Sequence, residues 1–536
     1  MLAHQCSARA YIAILIALIL SIFLLTANRL NNVSPISLPH FSTGGSSLAE
    51  STGGSQQPDS STDQLNTQPD NKNDQAATSQ AVAEFCNNDW KLLRRKELGL
   101  TNKVAYTRRC IKPTHNNPDR EAVGKISDSL VTGTVTLNLK ANCEQFAPPP
   151  CEPLELDVPP AYAAQEEQYN HLLFGIASSY ERIQTSLPVF AQWLAGTGAQ
   201  LLAVVADADE GFIKPNLRAL EAQYRNAGVN ASIIAPKMKE SLPRLNTNPD
   251  EKLRQPAAVE QLHFLLIRDM LDAATPQTKW LGVLDDDTFF PAMDPLSVAL
   301  SQYDHTKPMW LGALADNWIS MKIWGFMAYG GAGTFLSVPL AKQLEPHLED
   351  CVRQTDVPSG DGMLRDCMYT RTTTKLTVME GLYQHDIRGD ASGFFESGRR
   401  TLSIHHWKSW YHVPIDKMAA ITSVCGDCFL QRWRFGSDTL FANGYSITQY
   451  REGLDNINLD LMEATFEEAD SRFDFVYGPF RPRLDRYDKK SYRLVEVDGT
   501  FEKGGQFKQL YVYRATKEEG SDAEPVDEVV ELIWDV

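Results

Sequence analysis

The stretch that decides the fold is residues 280–291, which read WLGVLDDDTFFP. The first five residues form a short apolar run that follows a helical pattern, and this predicts a buried parallel strand. Three consecutive carboxylates, Asp285, Asp286 and Asp287, stand where the strand should end. Like charges at this spacing repel, so a chain rarely keeps them at a strand end without a reason. Oxygen ligands there suit a hard divalent cation such as Mg²⁺ or Mn²⁺, which is often shared with the phosphates of a substrate.

Three interpretations of this stretch are open. It can be an acidic turn that faces water, because short Asp runs are common in turns. It can be the nucleophile strand of a phosphatase-type Asp-x-Asp-x-Thr motif, but the position that should carry Thr is Phe289, and Thr288 comes one residue early. It can also be the Asp-x-Asp metal site of a nucleotide-sugar glycosyltransferase, formed by Asp285 and Asp287. The register counts against the phosphatase.

Apolar strand patterns and helical patterns alternate before this stretch. The predicted strands are residues 171–177, 201–206 and 232–235. The predicted helices are residues 180–194, 216–226 and 257–274. This alternation predicts an α/β fold with a doubly wound parallel sheet. Ligands of such sheets bind beyond the carboxyl ends of the strands, where the Asp triplet falls.

Composition and charge limit the classes of protein to which the chain can belong. The 536 residues suffice for more than one domain, or for one domain with large additions. The hydrophobic share of 43% can supply a sizeable core. A net charge of −17 argues against a nucleic-acid surface, because neutralising phosphates requires clustered Lys and Arg.

Residues 11–27, YIAILIALILSIFLLTA, form a continuous apolar run flanked by Arg9 and Arg29. Its length is near the lower limit, roughly 17 residues, for a membrane-spanning helix. It exceeds the core of about 7 to 15 residues that is usual in signal peptides. We therefore expect an uncleaved signal anchor rather than a cleaved signal, with residues 1–10 as a cytosolic tail.

The rest of the chain divides into four predicted parts. Residues 28–83 are expected to be a disordered stem, because from residue 31 onward they contain almost no large apolar side chains. Residues 84–165 form an N-terminal region that ends in Pro-rich sequence, and residues 166–410 hold the α/β domain. Residues 411–536 show short alternating segments and are expected to form a small, mostly β region.

Eight of the nine cysteines follow the apolar run, and Cys6 precedes it. An even set fits disulfides in a secretory compartment, which places the bulk of the chain in a lumen. Eight cysteines allow 105 connectivities, of which neighbour pairing (86–110, 143–151, 351–367 and 425–428) is the simplest. A local disulfide is expected for Cys425 and Cys428, because no second pair of zinc ligands lies nearby.

Further candidate residues follow the Asp triplet along the chain. Glycines in YGGAGTFLS permit a tight turn and close approach of a ligand to the backbone: Gly330, Gly331 and Gly333. Asp361 lies in SGDG, and His405 and His406 end the strand-like segment LSIHHW. A His pair alone is more often structural, but next to an Asp triplet and a Gly-rich turn a role as metal ligand is favoured.

Five motifs now stand in order: DDDTFF, YGGAGTFLS, SGDGMLRDC, YQHDIRGDASGF and LSIHHW. Together they resemble the fringe-like family 31 glycosyltransferases, which are inverting enzymes with a GT-A fold. The resemblance covers residues 169–410 and is greatest to a branch with an added C-terminal region.

The resemblance also implies roles for individual residues. Asp285, Asp286 and Asp287 match the carboxylates that bind the metal and the nucleotide sugar, with Asp287 and His405 as metal ligands. Asp361 falls at the position of the catalytic base, although many members have two adjacent Asp residues where this chain has Gly360 and Asp361. The glycines of YGGAGTFLS match the loop that lines the cleft for donor and acceptor.

The implied activity is metal-dependent transfer of N-acetylglucosamine or galactose from a UDP-sugar to a glycan or glycoprotein hydroxyl, with Mn²⁺ or Mg²⁺ as cofactor. A β-1,3 linkage and a single-pass type II location in the Golgi membrane are expected. The alternatives are a non-catalytic glycan-binding protein that keeps the fold and a metal-dependent hydrolase. The Asp361 position argues against the former, since a lectin needs no base.

Overall fold

The computed structural model describes residues 80–536 apart from 147–148, 164–167, 211–213, 243–257, 317, 358, 468–472, 486, 501–503 and 518–523. These residues belong to one contact unit, Asn71–Val536. The predicted anchor, residues 11–27, and nearly all of the predicted stem lie outside the described residues. Within the described part of the chain, no helix combines the length and apolar character that crossing a membrane requires.

The first part of the described chain begins with helical residues 80–87, after which one short helix and four strands follow. These are α1 (Asp89–Leu93), β1 (Lys103–Thr114), β2 (Val123–Ile126), β3 (Val135–Asn138) and β4 (Glu152–Asp157), with 3₁₀ turns at Lys96–Leu98 and Cys143–Gln145.

An α/β core follows, in which strands and helices alternate as the sequence predicts. Its elements are β5 (Leu172–Ser178), α2 (Tyr180–Leu194), β6 (Gln200–Val205), α3 (Leu217–Asn226), β7 (Asn230–Ile234), α4 (Val259–Ala273), β8 (Trp280–Val283), α5 (Met293–Ser301), β9 (Trp310–Gly312), α6 (Trp318–Trp324), β10 (Thr334–Ser337), α7 (Val338–Leu344), α8 (Leu348–Gln354), α9 (Gly360–Arg371) and β11 (Leu376–Val378). Further 3₁₀ turns are Gly330–Ala332 and Glu345–His347.

The core strands form a seven-stranded sheet in the order β11-β9-β10-β8-β5-β6-β7. The predicted parallel arrangement is confirmed among β5, β6, β7 and β8. It is wrong at β10, which pairs antiparallel with both β8 and β9. The connection after β9 stays at the carboxyl edge and turns back through residues 330–333. β10 therefore begins at the carboxyl edge of the sheet and runs in the direction opposite to β8 and β9.

Helices cover both faces of this sheet. Side chains along β5 point alternately to the two faces, and each set packs in its own apolar cluster. Phe174 and Ile176 pack in one cluster with Trp193 of α2. Leu173 and Ala177 pack in the other, with side chains of α4 and α9. Burial on both faces explains why the strand reads as an unbroken apolar run.

The last part of the chain supplies three short helices and nine strands. They are α10 (Ser392–Glu396), α11 (Ile415–Ala419), α12 (Thr422–Cys425), β12 (Arg432–Phe435), β13 (Thr439–Ala442), β14 (Ser446–Tyr450), β15 (Met462–Glu463), β16 (Phe473–Asp474), β17 (Gly478–Arg481), β18 (Lys489–Gly499), β19 (Gln506–Tyr513) and β20 (Asp527–Asp535). A 3₁₀ turn, Gly426–Cys428, follows α12. β15, β17 and β16 form a separate three-stranded sheet.

A ten-stranded sheet joins the first and last parts of the chain. Its order is β2-β12-β13-β14-β18-β19-β20-β1-β3, with β4 beside β1. β1 and β20 pair in parallel from Val104 opposite Asp527 to Ile111 opposite Trp534. Residues 84–165 and 411–536 are predicted as two separate regions, and in the structure strands from both regions build this one sheet.

The disulfides agree with neighbour pairing at two of four bonds. Cys351 bonds Cys367 and Cys425 bonds Cys428. The other two predicted pairs are wrong, because Cys86 bonds Cys143 and Cys110 bonds Cys151. The pairing of β1 with β4 explains the second of these, since its register sets Cys110 opposite Pro153, two residues from Cys151.

Candidate active site

The Asp triplet lies at the carboxyl edge of the seven-stranded sheet, in the turn that follows β8. Leu284 still pairs with β5 through its amide, which donates to the Gly175 carbonyl at 2.9 Å. Thr288 closes the turn, because its Oγ1 accepts from the Asp285 amide at 3.1 Å and donates to the Gly331 carbonyl at 3.0 Å. The turn spreads the carboxylates in different directions.

An isolated β-bridge brings His405 to the triplet. Phe289 and Ile404 exchange two backbone hydrogen bonds of 2.8 Å. The residue after Ile404 therefore stands beside the turn that carries Asp285 and Asp287, about 120 residues earlier in the chain. The order of the sequence motifs suggests that His405 lies near the Asp triplet, and this bridge shows the contact that brings it there.

His405 contacts two carboxylates through one ring nitrogen. Its Nε2 lies 2.9 Å from Asp287 Oδ1 and 3.3 Å from Asp285 Oδ2. Its Nδ1 lies 3.0 Å from the Gln384 carbonyl, an acceptor only, so Nδ1 carries the hydrogen of the neutral ring. The lone pair of Nε2 then points at the carboxylates, and this arrangement requires a positive charge, either a proton or a metal ion, between them.

The pKa shifts follow from the same contacts. Burial acts to lower the pKa of His405, but the charges of Asp287 and Asp285 and their hydrogen bonds outweigh it and raise the pKa well above its usual range. Burial acts to raise the pKa of Asp287, and the charge and hydrogen bond of His405 lower it. Both carboxylates are thus held ionised beside an imidazole, a donor set of two oxygens and one nitrogen that suits Mn²⁺.

His406 extends this donor set. Single ligand atoms from Asp287, His405 and His406 all lie within 4.8 Å of one another. The His406 ring stacks on Trp410 with centroids 4.0 Å apart, and its Nε2 lies 3.4 Å from Asp386 Oδ1. The residues present therefore fit a divalent cation, with Asp287 and His405 as ligands and His406 within reach.

Asp286 points away from this group. Its carboxylate accepts from Arg182 Nε at 2.5 Å and also from Arg182 Nη2 and the Ser178 hydroxyl. Lys408 Nζ lies 3.8 Å from its Oδ1. The structure brings Asp285 and Asp287 together with His405, whereas Asp286 is buried in an ion pair on the other side of the turn.

Asp361 lies in the first turn of α9, whose amino terminus is capped by Ser359 through a 3.1 Å hydrogen bond from the Gly362 amide. Asp361 Oδ2 accepts from the Gly330 amide at 2.9 Å. Burial and, less strongly, the charge of Asp285 raise the pKa of Asp361 to about 6, although His263 opposes them. A carboxylate with a pKa near 6 is suited to accept a proton at neutral pH.

The Gly-rich turn touches both ends of the site. A Cβ on Gly330 would lie 2.6 Å from Asp361 Oδ1, and a Cβ on Gly331 would lie 2.2 Å from the His405 ring. Gly333 has φ +92°, a conformation that side chains with a Cβ rarely adopt. Close approach to Asp361 and His405 explains the glycines at positions 330 and 331, and the positive φ explains Gly333.

His263 is a site residue that the sequence analysis missed. It belongs to α4, and its Nε2 lies 3.2 Å from Asp285 Oδ1. Burial acts to lower its pKa, but the hydrogen bond and charge of Asp285 raise the pKa to about 9. Its only sequence signal is a lone imidazole in an apolar helix, a pattern that is more often structural.

A cavity of about 720 Å³ lies away from this site, and the described residues of its lining, which include His171, Lys279 and His305, contain no carboxylate. A smaller cavity beside the site is lined by His263, Gly360 and Asp361. The acidic and imidazole groups therefore identify the candidate site better than cavity size does.

The chain matches one sequence family over part of its length. Residues 321–426 match a sequence family described as a protein of unknown function, DUF604. Among curated proteins, none matches the chain.

Solved structures with partial similarity include mouse xyloside xylosyltransferase 1 in its apo form, with 13% identity over 38% of this chain and 77% of that chain and a TM-score of 0.23. The galactosyltransferase LgtC in complex with donor and acceptor sugar analogues is 11% identical over 48% of this chain and 92% of that chain, with a TM-score of 0.27. The 4-diphosphocytidyl-2C-methyl-D-erythritol synthase of Anaerococcus prevotii is 8% identical over 40% and 89%, with a TM-score of 0.24. Similarity at this level identifies neither an activity nor a substrate, and function is inferred from the site.

Proposed function

We propose that the chain is a metal-dependent, inverting glycosyltransferase of the fringe-like family 31 type, with a GT-A fold. It would move a sugar, N-acetylglucosamine or galactose, from a UDP-sugar to a hydroxyl of a glycan or glycoprotein. The observation that carries the proposal is the convergence of Asp287, Asp285 and His405 at the carboxyl edge of the sheet, with Asp361 across the Gly-rich turn.

The metal would be held by Asp287 and His405. Asp287 is buried and ionised, and the Nδ1 contact of His405 with the Gln384 carbonyl keeps Nε2 as the ligand atom. A bound Mn²⁺ or Mg²⁺ ion neutralises negative charge on the phosphates of a leaving nucleotide. Asp285 lies between His263 and His405, so its charge is already shared by two imidazoles.

Asp361 would act as the general base. One of its oxygens is held by the Gly330 amide, which leaves Oδ1 to accept a proton. The acceptor hydroxyl gives its proton to Asp361 while its oxygen forms the new bond to the anomeric carbon. The bond from that carbon to the diphosphate breaks, and UDP leaves with the electron pair. Attack opposite the leaving group inverts the anomeric configuration.

We place the protein in the Golgi membrane as part of the same proposal, with residues 11–27 as the anchor. The support for a secretory compartment is that all eight cysteines that follow this run form disulfides. A β-1,3 linkage stays a prediction from the sequence resemblance.

Donor screening on the full chain tests the proposal. Release of UDP from a panel of UDP-sugars is followed with Mn²⁺ and with EDTA, beside Asp287→Ala and Asp361→Ala. We expect release from one donor that is lost with EDTA and greatly reduced in both variants. Silence across the panel with intact glycan binding would instead support the non-catalytic glycan-binding protein.

A further inference from the structure

The Asp316 carboxylate, buried after β9, organises the loop of residues 384–386 and itself makes no hydrogen bond to His405 in the described structure. Its Oδ1 accepts from the Asp386 amide at 2.8 Å, and its Oδ2 accepts from the His385 amide at 2.8 Å. The same Oδ2 accepts a hydrogen bond from the hydroxyl of Tyr477. Both oxygens therefore accept hydrogen bonds. The loop donates two of them, and Tyr477, a residue far along the chain, donates the third.

The loop that Asp316 fixes holds His405 by its ring and by its backbone. The Gln384 carbonyl lies 3.0 Å from His405 Nδ1. His385 Nδ1 accepts from the His405 amide at 3.2 Å. Gln384 also binds the Gly-rich turn, because its Oε1 accepts from the Ala332 amide at 3.0 Å. Position and tautomer of the predicted metal ligand thus depend on this loop.

Tyr477 is rigidly placed. It is fully buried, and its ring packs against Tyr383 and Phe394 with centroids 5.8 and 5.7 Å apart. Its amide donates to Asp474 Oδ1 at 2.9 Å, and Arg399 donates to its carbonyl. These contacts orient the ring so that its hydroxyl donates to Asp316 Oδ2.

We infer that Tyr477 is a positioning residue for the metal ligand His405, so that the region 411–536 completes the site rather than only supporting it. This inference rests on the proposed function. The contacts run from the Tyr477 hydroxyl to Asp316, from there to the amides of the loop, and from the Gln384 carbonyl to His405.

The charge on Asp316 depends on its donors. Burial and the nearby charge of Asp386 raise the pKa of Asp316 to about 7, and the hydrogen bond from Tyr477 opposes this rise. Removing the hydroxyl would leave a buried carboxylate with one donor fewer, which is costly for a charged group. The loop would then hold the imidazole less firmly, and groups that orient a ligand in this way commonly change metal affinity by about 10- to 100-fold.

Tyr477→Phe tests the inference in the full-length chain, since it removes only the hydroxyl. Tyr511→Phe is the matched control, because Tyr511 is equally buried and its hydroxyl accepts from the Gly444 amide at 3.1 Å, in the ten-stranded sheet. Mn²⁺ alone is titrated and the free ion is followed by electron paramagnetic resonance, with thermal unfolding measured on each protein. We expect Mn²⁺ affinity to fall about 10- to 100-fold in Tyr477→Phe and to stay at the parent value in Tyr511→Phe.

Asp316→Asn provides a second variant, for which we expect a loss of affinity in the same direction. Parent affinity in folded Tyr477→Phe would overturn the inference. Loss of the fold in both Tyr477→Phe and Asp316→Asn would also overturn it, because the network would then be structural. A parent chain that neither binds Mn²⁺ nor releases UDP would refute the proposed function itself, which distinguishes the two failures.

Discussion

Asp285 bridges two imidazoles, with His263 Nε2 at 3.2 Å from one oxygen and His405 Nε2 at 3.3 Å from the other. Burial acts to raise the pKa of Asp285, but the hydrogen bonds from both imidazoles lower it well below its usual range. One carboxylate therefore connects His263 of the helix α4 to the predicted metal ligand His405.

Replacing His263 should reduce stability. In His263→Ala the half-buried Asp285 loses one of its two partners, and we expect the free energy of unfolding to fall by about 1 to 3 kcal/mol. Urea unfolding measures this change. His305→Ala, at a half-exposed position on the far cavity, should stay within about 0.5 kcal/mol of the parent chain. Equal stability of the two variants would contradict the bridging role.

The Gly-rich turn offers a pair of substitutions that separate the two halves of the site. A Cβ in Gly331→Ala would stand 2.2 Å from the His405 ring, so we expect weakened Mn²⁺ binding. A Cβ in Gly330→Ala would stand 2.6 Å from Asp361 Oδ1, so we expect slower transfer with Mn²⁺ binding nearly unchanged. Mn²⁺ titration and initial rates of transfer on both variants check this, and identical effects of the two would argue against it.

Asp287→Asn should abolish metal-stimulated UDP release while the fold is kept. The substitution keeps the shape of the side chain and removes the charge that binds a cation, so Mn²⁺ affinity should fall by at least about tenfold. Asp304→Asn is the control, because Asp304 is a surface carboxylate that is hydrogen-bonded to Thr306 and paired with Lys307, away from the site. Mn²⁺-dependent release at parent level in Asp287→Asn would rule out its role as ligand.

Asp361→Asn should show the opposite pattern to Asp287→Asn. Without a base, the turnover number should fall by about 10²-fold or more. Mn²⁺ affinity should stay near the parent value, because Asp361 lies across the Gly-rich turn from the donor set. Steady-state rates at saturating donor and acceptor, together with Mn²⁺ titration, provide both quantities. A loss of Mn²⁺ binding would reassign Asp361 to the metal.

The raised pKa of Asp361 predicts a pH dependence. The base works as a carboxylate, so kcat/KM should rise with pH, about tenfold per unit below pH 6, and level off above the pKa of about 6. Rates should be measured at saturating Mn²⁺, because protonation of His405 competes with metal binding. The residual activity of Asp361→Asn should lack this acidic limb, and a flat profile between pH 5 and 7 in the parent chain would contradict the assignment.

Sequence reasoning located the strand β8, the α/β alternation and the disulfide between Cys351 and Cys367 because these depend on local pattern and short separation. It could not see that Asp286 turns toward Arg182, since the direction of each carboxylate is decided by the turn that Thr288 closes. It also missed His263, whose partner Asp285 lies on another element.

The antiparallel direction of β10 also could not be predicted from the sequence pattern. Apolar runs look alike in either direction, and only the return of the chain along one edge of the sheet decides how β10 runs. The incorrect pairing of Cys86 and Cys110 has a similar cause, because tertiary packing brings Cys143 and Cys151 to them over longer separations.

The parallel pairing of β1 with β20 has a consequence for biosynthesis. Thr101, just before β1, bonds to Asp527 of β20 across 426 residues. At a translation rate of about 5 to 20 residues per second, β1 leaves the ribosome roughly 20 to 85 s before its partner. The edge of β1 that pairs with β20 stays unpaired in that time, and an unpaired strand edge is a site of aggregation. The ten-stranded sheet can therefore close only after nearly the whole described chain has been synthesised.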